Sequence, residues 1–217
     1  MADEKYITIP NKITEKSFVM IQDEIDKIDP NYTFNSPIEE QIIKRAIHTT
    51  ADFDYMHSLR FTHDAIKHIK HAIMNHGTII TDTTMALSGI NKRKLDQLGV
   101  NYHCFIRDPE VRELANKKGI TRSMAAIEVA AELPTEKVFV VGNAPTALYK
   151  ILEMIKENRL TVAAVIGVPV GFVEAKESKD ELVNSDVPAI AAVGRKGGSN
   201  LAAALTNAII YNLDLIK

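Results

Sequence analysis

A single cysteine, Cys104, stands in 217 residues, so the chain can form no internal disulfide and cannot build a cysteine-based zinc site. That scarcity fits a reducing compartment, and the expected location is cytoplasmic. Tryptophan is absent, which carries no functional information. No apolar run approaches the roughly 20 residues that a membrane-spanning helix needs, so no membrane partner is expected. The first residues, MADEKYITIP, are acidic and lack an apolar segment, unlike a secretory leader. There is no excess of one charge either. With 26 lysines and arginines against 28 aspartates and glutamates, the net charge of −2 offers nothing for general nucleic-acid binding. Nucleotide fingerprints are missing: no P-loop is present, and no G-x-G-x-x-G follows a strand. H-E-x-x-H is missing too, and His57, His63, His68, His71 and His76 read as surface residues with no metal to hold. What remains is 46% hydrophobic and 25% charged, the balance of an ordinary globular protein.

Apolar positions Ile13, Phe18, Ile21, Ile25 and Ile28 recur near helical period, which predicts a helix from about Asn11 to Ile28 that stops at Asp29-Pro30-Asn31. Ser36 as cap, Pro37 in the first turn and Glu39 at the capping-box position start a second helix, which runs to about Thr49. A third is read from about Thr62 to Asn75, closed by Gly77. Beyond it come five short runs with strand character: Thr78–Asp82, Tyr102–Ile106, Val138–Val141, Val162–Ile166 and Ala189–Val193. They alternate with helical segments at Lys92–Leu98, Asp108–Lys118, Arg122–Glu132, Pro145–Asn158, Phe172–Val183 and Ser199–Tyr211. Such alternation predicts an α/β fold with a mainly parallel sheet covered on both faces. One domain is expected over residues 1–217, with a helical N-terminal part over about 1–76 and a sheet part over about 77–217.

The stretch Val138–Leu152 reads as a buried strand, a tight Gly142-Asn143-Ala144-Pro145 turn and a helix. Asn143 is the expected N-cap, and Pro145 suits the first turn. Free N–H groups and the positive end of a helix dipole would then await an anion. Phosphate is the first guess, weakened by the missing fingerprints. Comparable loops follow other strands: Asp82-Thr83-Thr84-Met85, Gly167–Val173, and Gly194-Arg195-Lys196-Gly197-Gly198-Ser199. In a parallel sheet they emerge at one edge and converge on one crevice, although any single loop could be a tight turn and nothing more. In the last loop two cations precede a helix, where the dipole gives them nothing. They point to a bound carboxylate or phosphate, or else to a solvated basic turn. Arg122, at another helix start, is equally awkward without an anion. Lys176 and Lys179 read as surface partners of Glu174, Glu177 and Asp180, and His103 as packed in its strand. His48 ends the second helix, where the dipole stabilises its imidazolium. Substrate carboxylates would raise its pKa further, making it a general acid near neutral pH; the plainer reading is a capping histidine.

Four motifs stand together in order: Arg45-x-Ile47-His48-Thr49, Gly142-Asn143-Ala144-Pro145-Thr146-Ala147-Leu148, Gly167–Lys179 and Gly194–Ser199. With them the chain resembles the precorrin-8X methylmutase family, whose members are also called cobalt-precorrin-8 methylmutases, from about Ser17 to Leu213. The resemblance implies a three-layer flavodoxin-like fold and a homodimer. It also implies an isomerase of cobalamin biosynthesis that moves a methyl group from carbon 11 to carbon 12 of a corrin precursor, giving hydrogenobyrinate or cobyrinate. It puts the catalytic histidine on His48. Substrate contacts are expected from Ser17, Thr49, Asp82, Met85 and Arg122, and from Gly142, Asn143, Ala144, Pro145 and Thr146. Val170, Phe172, Gly194, Arg195, Lys196, Gly197, Gly198 and Ser199 complete the expected set. Met85, Val170 and Phe172 would line the flat apolar ring, and the backbone N–H groups and cations would meet its carboxylates. No cofactor is expected, because bonds rearrange within one molecule, and any cobalt belongs to the substrate. A non-catalytic tetrapyrrole carrier and, less favoured, a nucleotide or phosphate enzyme are the alternatives.

Overall fold

The computed structural model describes residues 9–217. The expectation about a secretory leader rests mostly on residues 1–8, outside the described part. Pro10 opens α1 (Pro10–Ile28), and the missing N–H of a first-turn proline costs nothing there. Helix α2 (Pro37–Thr50) starts as its sequence dictates: the Ser36 hydroxyl accepts the Glu39 N–H at 3.3 Å. It ends where Ala51 turns left-handed, at φ 55°. The chain continues through α3 (Tyr55–Ser58), β1 (Leu59–Thr62), α4 (Ala65–Met74), β2 (Thr78–Thr81), α5 (Thr84–Gly89), α6 (Lys92–Leu98) and β3 (Asn101–His103). A 3-10 turn at Phe105–Arg107 leads into α7 (Pro109–Lys118) and α8 (Arg122–Ala131). Then come β4 (Lys137–Val141), α9 (Pro145–Lys156), β5 (Ala164–Gly167), α10 (Ala175–Val183), β6 (Ala189–Ala192) and α11 (Ser199–Tyr211). No helix among the described residues is long and apolar enough to cross a membrane.

The six strands lie in the order β1-β6-β5-β4-β2-β3, all parallel except β1, which runs antiparallel to β6. The five parallel strands, renumbered from β2, give the 2-1-3-4-5 order of flavodoxin-like sheets. The sheet divides two cores because strand side chains alternate between faces. Ile79, Val138, Val140, Ala164, Ile166 and Ile190 join α1, α2, α4, α5, α6 and α11 on one side. Ile80, Phe139, Val141, Val165 and Ala191 meet α7, α8, α9 and α10 on the other. This is the expected α/β architecture, with helices on both faces.

Three local expectations need correction. The third helix does not begin at Thr62. Leu59–Thr62 is a strand that hydrogen-bonds to β6, with Leu59 opposite Ala192, so the first 76 residues are not wholly helical. Tyr102–Ile106 is only half a strand, because Phe105 turns into the 3-10 segment. The helix expected from Phe172 begins at Ala175, after Glu174 adopts a left-handed conformation at φ 61°.

Candidate functional site

The carboxyl ends of β2 and β4 form the point where strand order reverses, the usual ligand seat of an open α/β sheet. Here that seat holds a side chain of the protein itself. Asp82, at the end of β2 and 5% exposed, accepts the N–H groups of Gly142 at 2.9 Å and of Asn143 and Ala144 at 2.8 Å each. Burial drives the Asp82 pKa up, against the pull of those three donors. The anion expected at the start of α9 is therefore intrinsic. Asn143 is not the N-cap: that position falls on Ala144, which makes no side-chain cap. Gly142 serves packing, since a Cβ there would come within 2.7 Å of the Ser199 Cα. Ser199 in turn shares a 2.7 Å hydroxyl hydrogen bond with Thr83, so α11 begins pressed against the β2 and β4 loops.

The loops after β5 and β6 are laced together. Gly198 donates its N–H to Val168 at 2.8 Å and Gly171 to Arg195 at 3.1 Å. At Gly197, with φ 158°, a Cβ would strike the Val168 carbonyl at 2.2 Å. Lys179 is fully buried beneath this pair, in contrast to the expected surface residue, and donates to the Lys196 carbonyl at 2.8 Å. Burial lowers its pKa to about 8. Only Lys176 makes the expected surface pair, at 2.6 Å from Asp180. The Lys196 ammonium also has partners of its own: Asp52 at 2.6 Å, and Asp54. Arg195 is exposed, its guanidinium 5.8 Å from the centre of the Phe172 ring.

Those two aspartates follow α2, and Leu59 of β1, paired with Ala192 at the end of β6, fixes the same segment, so the last turn of α2 lies at the carboxyl edge of the sheet. His48 and Thr49 are exposed there. The His48 ring meets Phe18 of α1 edge-on at 5.9 Å, and the Arg45 guanidinium lies 5.0 Å from the centre of the same ring. Partial burial, then repulsion from Arg45, lowers the His48 pKa. The sequence suggests the opposite direction from the helix dipole; burial first, and then the cation one turn away, reverse it. Ser17, beside Phe18, donates its hydroxyl to the Ile13 carbonyl at 2.8 Å.

On the other side of Asp82 a pocket of about 530 Å³ opens. Asp82, Thr83, Asn143 and Arg122 line it, together with Thr121, Ser123, Ile106 and Arg107. Thr121 donates its hydroxyl to Thr146 at 3.2 Å, which joins the starts of α8 and α9. Thus Asp82, Asn143, Thr146 and Arg122 come together. No hydrogen bond or ion pair joins His48 to them among the described residues, and the Lys196 ion pairs tie the segment after its helix to the β6 loop. Met85, in the first turn of α5, is 69% exposed, and Phe172, 87% exposed, stands with Val170 on the loop after β5. The structure adds Phe18, Arg45 and Arg107 beside these residues; none was among the expected contacts, although Arg45 belongs to the His48 motif. A basic residue directly before the Asp108-Pro109 helix start was the available signal for Arg107. His103, although exposed, packs its ring on Phe105 with centroids 4.1 Å apart, and pairs with Asp108 at 2.9 Å.

Residues 12–212 match the profile of the precorrin-8X methylmutase family. The chain is 53% identical to the cobalt-precorrin-8 methylmutase of Salmonella typhimurium over 96% of its own length and 98% of the relative's. It is 34% identical to the precorrin-8X methylmutase of a Sinorhizobium species, with the same coverage. The solved structure of precorrin-8X methylmutase from Thermus thermophilus superposes with a TM-score of 0.81 at 35% identity, covering 92% of this chain and 96% of that one.

Proposed function

The chain belongs to the precorrin-8X methylmutase family, an isomerase family of cobalamin biosynthesis, and from that premise we propose how its residues divide the work. The substrate is cobalt-precorrin-8, and the methyl group moves from carbon 11 to carbon 12 to give cobyrinate. Preference for the cobalt form draws support from the higher identity to a relative named for it. His48 is the general acid that protonates the macrocycle near ring C and starts the shift. Such a group supplies roughly a hundredfold to ten-thousandfold in rate, and the rest comes from holding the ring in a reactive geometry. No nucleophile and no cofactor are required, since the bond that breaks and the bond that forms belong to one molecule.

The observation that carries this assignment is the setting of His48. It is exposed at the carboxyl edge, braced by Phe18, with Arg45 close enough to depress its pKa. A substrate carboxylate that neutralises Arg45 raises that pKa and supplies the acid only when substrate is bound. Ser17 and Thr49 flank this spot, and Met85, Val170 and Phe172 offer apolar surface for the ring. The loops Gly142–Thr146 and Gly194–Ser199 are walls of the crevice. Their fixed packing supports a shaping role more than direct anion binding, because Asp82 and the pair Asp52/Asp54 already hold the donors. Asp82 filling the anion seat also speaks against a phosphate enzyme. The protein works in the cytoplasm as a homodimer.

His48→Ala should abolish turnover of cobalt-precorrin-8 while retaining tight product binding, read from the visible spectrum. Turnover near wild type would remove His48 from the role. Binding without turnover by the wild-type protein would favour a carrier.

A further inference from the structure

Four cations stand at the carboxyl edge, and they differ in what neutralises them. Lys196 is taken by Asp52 and Asp54, and Arg195 lies against Phe172. Arg107 and Arg122 line one pocket and make no ion pair among the described residues. Two carboxylates neighbour them, Asp82 in the pocket lining and Asp108 next to Arg107 in sequence, and both are engaged. Asp108 holds the His103 ring at 2.9 Å. Asp82 has its oxygens on three backbone N–H groups at 2.8–2.9 Å. The start of α8, ten residues long, adds positive potential at the same place, where the Thr121–Thr146 hydrogen bond joins it to α9, whose own start Asp82 already serves. The pocket thus concentrates positive charge that the chain itself leaves uncompensated, next to hydroxyls of Thr83, Thr121 and Ser123.

We propose that Arg107 and Arg122 grip a single carboxylate of the substrate in this pocket, which makes Arg107 a binding residue for the reaction. The proposal rests on the corrinoid reading above. Guanidinium groups suit the task because each presents a planar pair of donors to a carboxylate. They approach from different elements: Arg107 from the turn after β3, Arg122 from the first turn of α8. One acid side chain of the macrocycle held between them fixes the rotation of the ring in its plane, which an apolar slot alone cannot do.

The test is titration of wild type, Arg107→Gln, Arg107→Lys, Arg122→Gln and the double glutamine variant with cobyrinic acid and with its methyl ester, followed by absorbance. Arg107 is exposed and unpaired, so thermal midpoints of its variants should match wild type. Loss of a charge-assisted contact should weaken binding of the acid by roughly tenfold to a hundredfold, and Arg107→Lys should recover part of it. Binding of the ester should not change. Because both groups hold one carboxylate, the double variant should lose less than the product of the single losses. Wild-type affinity for the acid in Arg107→Gln overturns the role of Arg107 alone. Losses that multiply overturn the shared carboxylate. Failure of the wild-type protein to bind cobyrinic acid would remove the corrinoid reading itself, and the proposal with it.

Discussion

His48 illustrates how burial and one neighbour together decide what a residue can do. An unperturbed imidazole titrates near 6.5, and here burial and then Arg45 move it lower. In the free protein the neutral form therefore dominates at pH 7, and the proposed acid role requires that the protonated form be induced. Because kcat/KM follows the free enzyme, it should fall as pH rises through this depressed pKa, while kcat should hold to higher pH. Arg45→Met removes the second cause of the depression. Its kcat/KM limb should shift upward toward 6.5, whatever the loss in absolute rate. A limb that stays in place would mean that Arg45 does not set the charge of His48.

At the level of elements, Lys179 ties α10 to the β6 loop, and its burial has a pH signature. Its folded-state pKa is about 8, below the roughly 10.4 of a solvated lysine. Between these values the unfolded chain binds the extra proton, so stability should rise with pH there, and the cost of the buried charge is present in full below pH 8. Lys179→Met removes this dependence. Urea melts at pH 7.5 and 10 should show the wild type gaining on the variant at the higher pH, and parallel curves would contradict it. This lysine also marks where sequence reading fails. Strands β2, β4, β5 and β6 were legible because short apolar runs lie between punctuated helices. Strand β1 was not, since Leu59–Thr62 owes its conformation to pairing with β6, some 130 residues on. Likewise Gly142–Ala144 read correctly as an anion nest. Nothing local could say that the anion is Asp82, sixty residues earlier. Spacing placed Lys179 on a charged helix surface, and only the tertiary fold turns it inward. His48 and Arg122 drew notice in sequence because helix ends give charge a meaning there, whereas Arg107, in a 3-10 turn, had only the weaker signal of a basic residue before a helix start.

The whole molecule carries apolar surface that a lone chain has no use for. Ile13 and Met20, two turns apart on α1, both stand in solvent, Met20 at 60%. Seven residues bring them to one helix face. Val19 extends that surface, and Val170, Phe172 and Val173 form a second exposed group beyond β5. Contiguous exposure of this kind marks contact sites, which supports the homodimer. Helix α1 also carries Phe18, the ring that braces His48. A partner held by α1 would therefore stiffen His48, the proposed acid, coupling assembly to rate. Wild-type protein should sediment at twice the 24.1 kDa chain mass. Replacing Ile13 and Met20 together by glutamate should return it to a single chain. If α1 forms the contact, that variant should lose turnover along with the dimer while its far-ultraviolet circular dichroism stays that of the wild type. A wild-type chain that remains single at every concentration would exclude the dimer. A variant that stays dimeric would move the contact to the Phe172 surface.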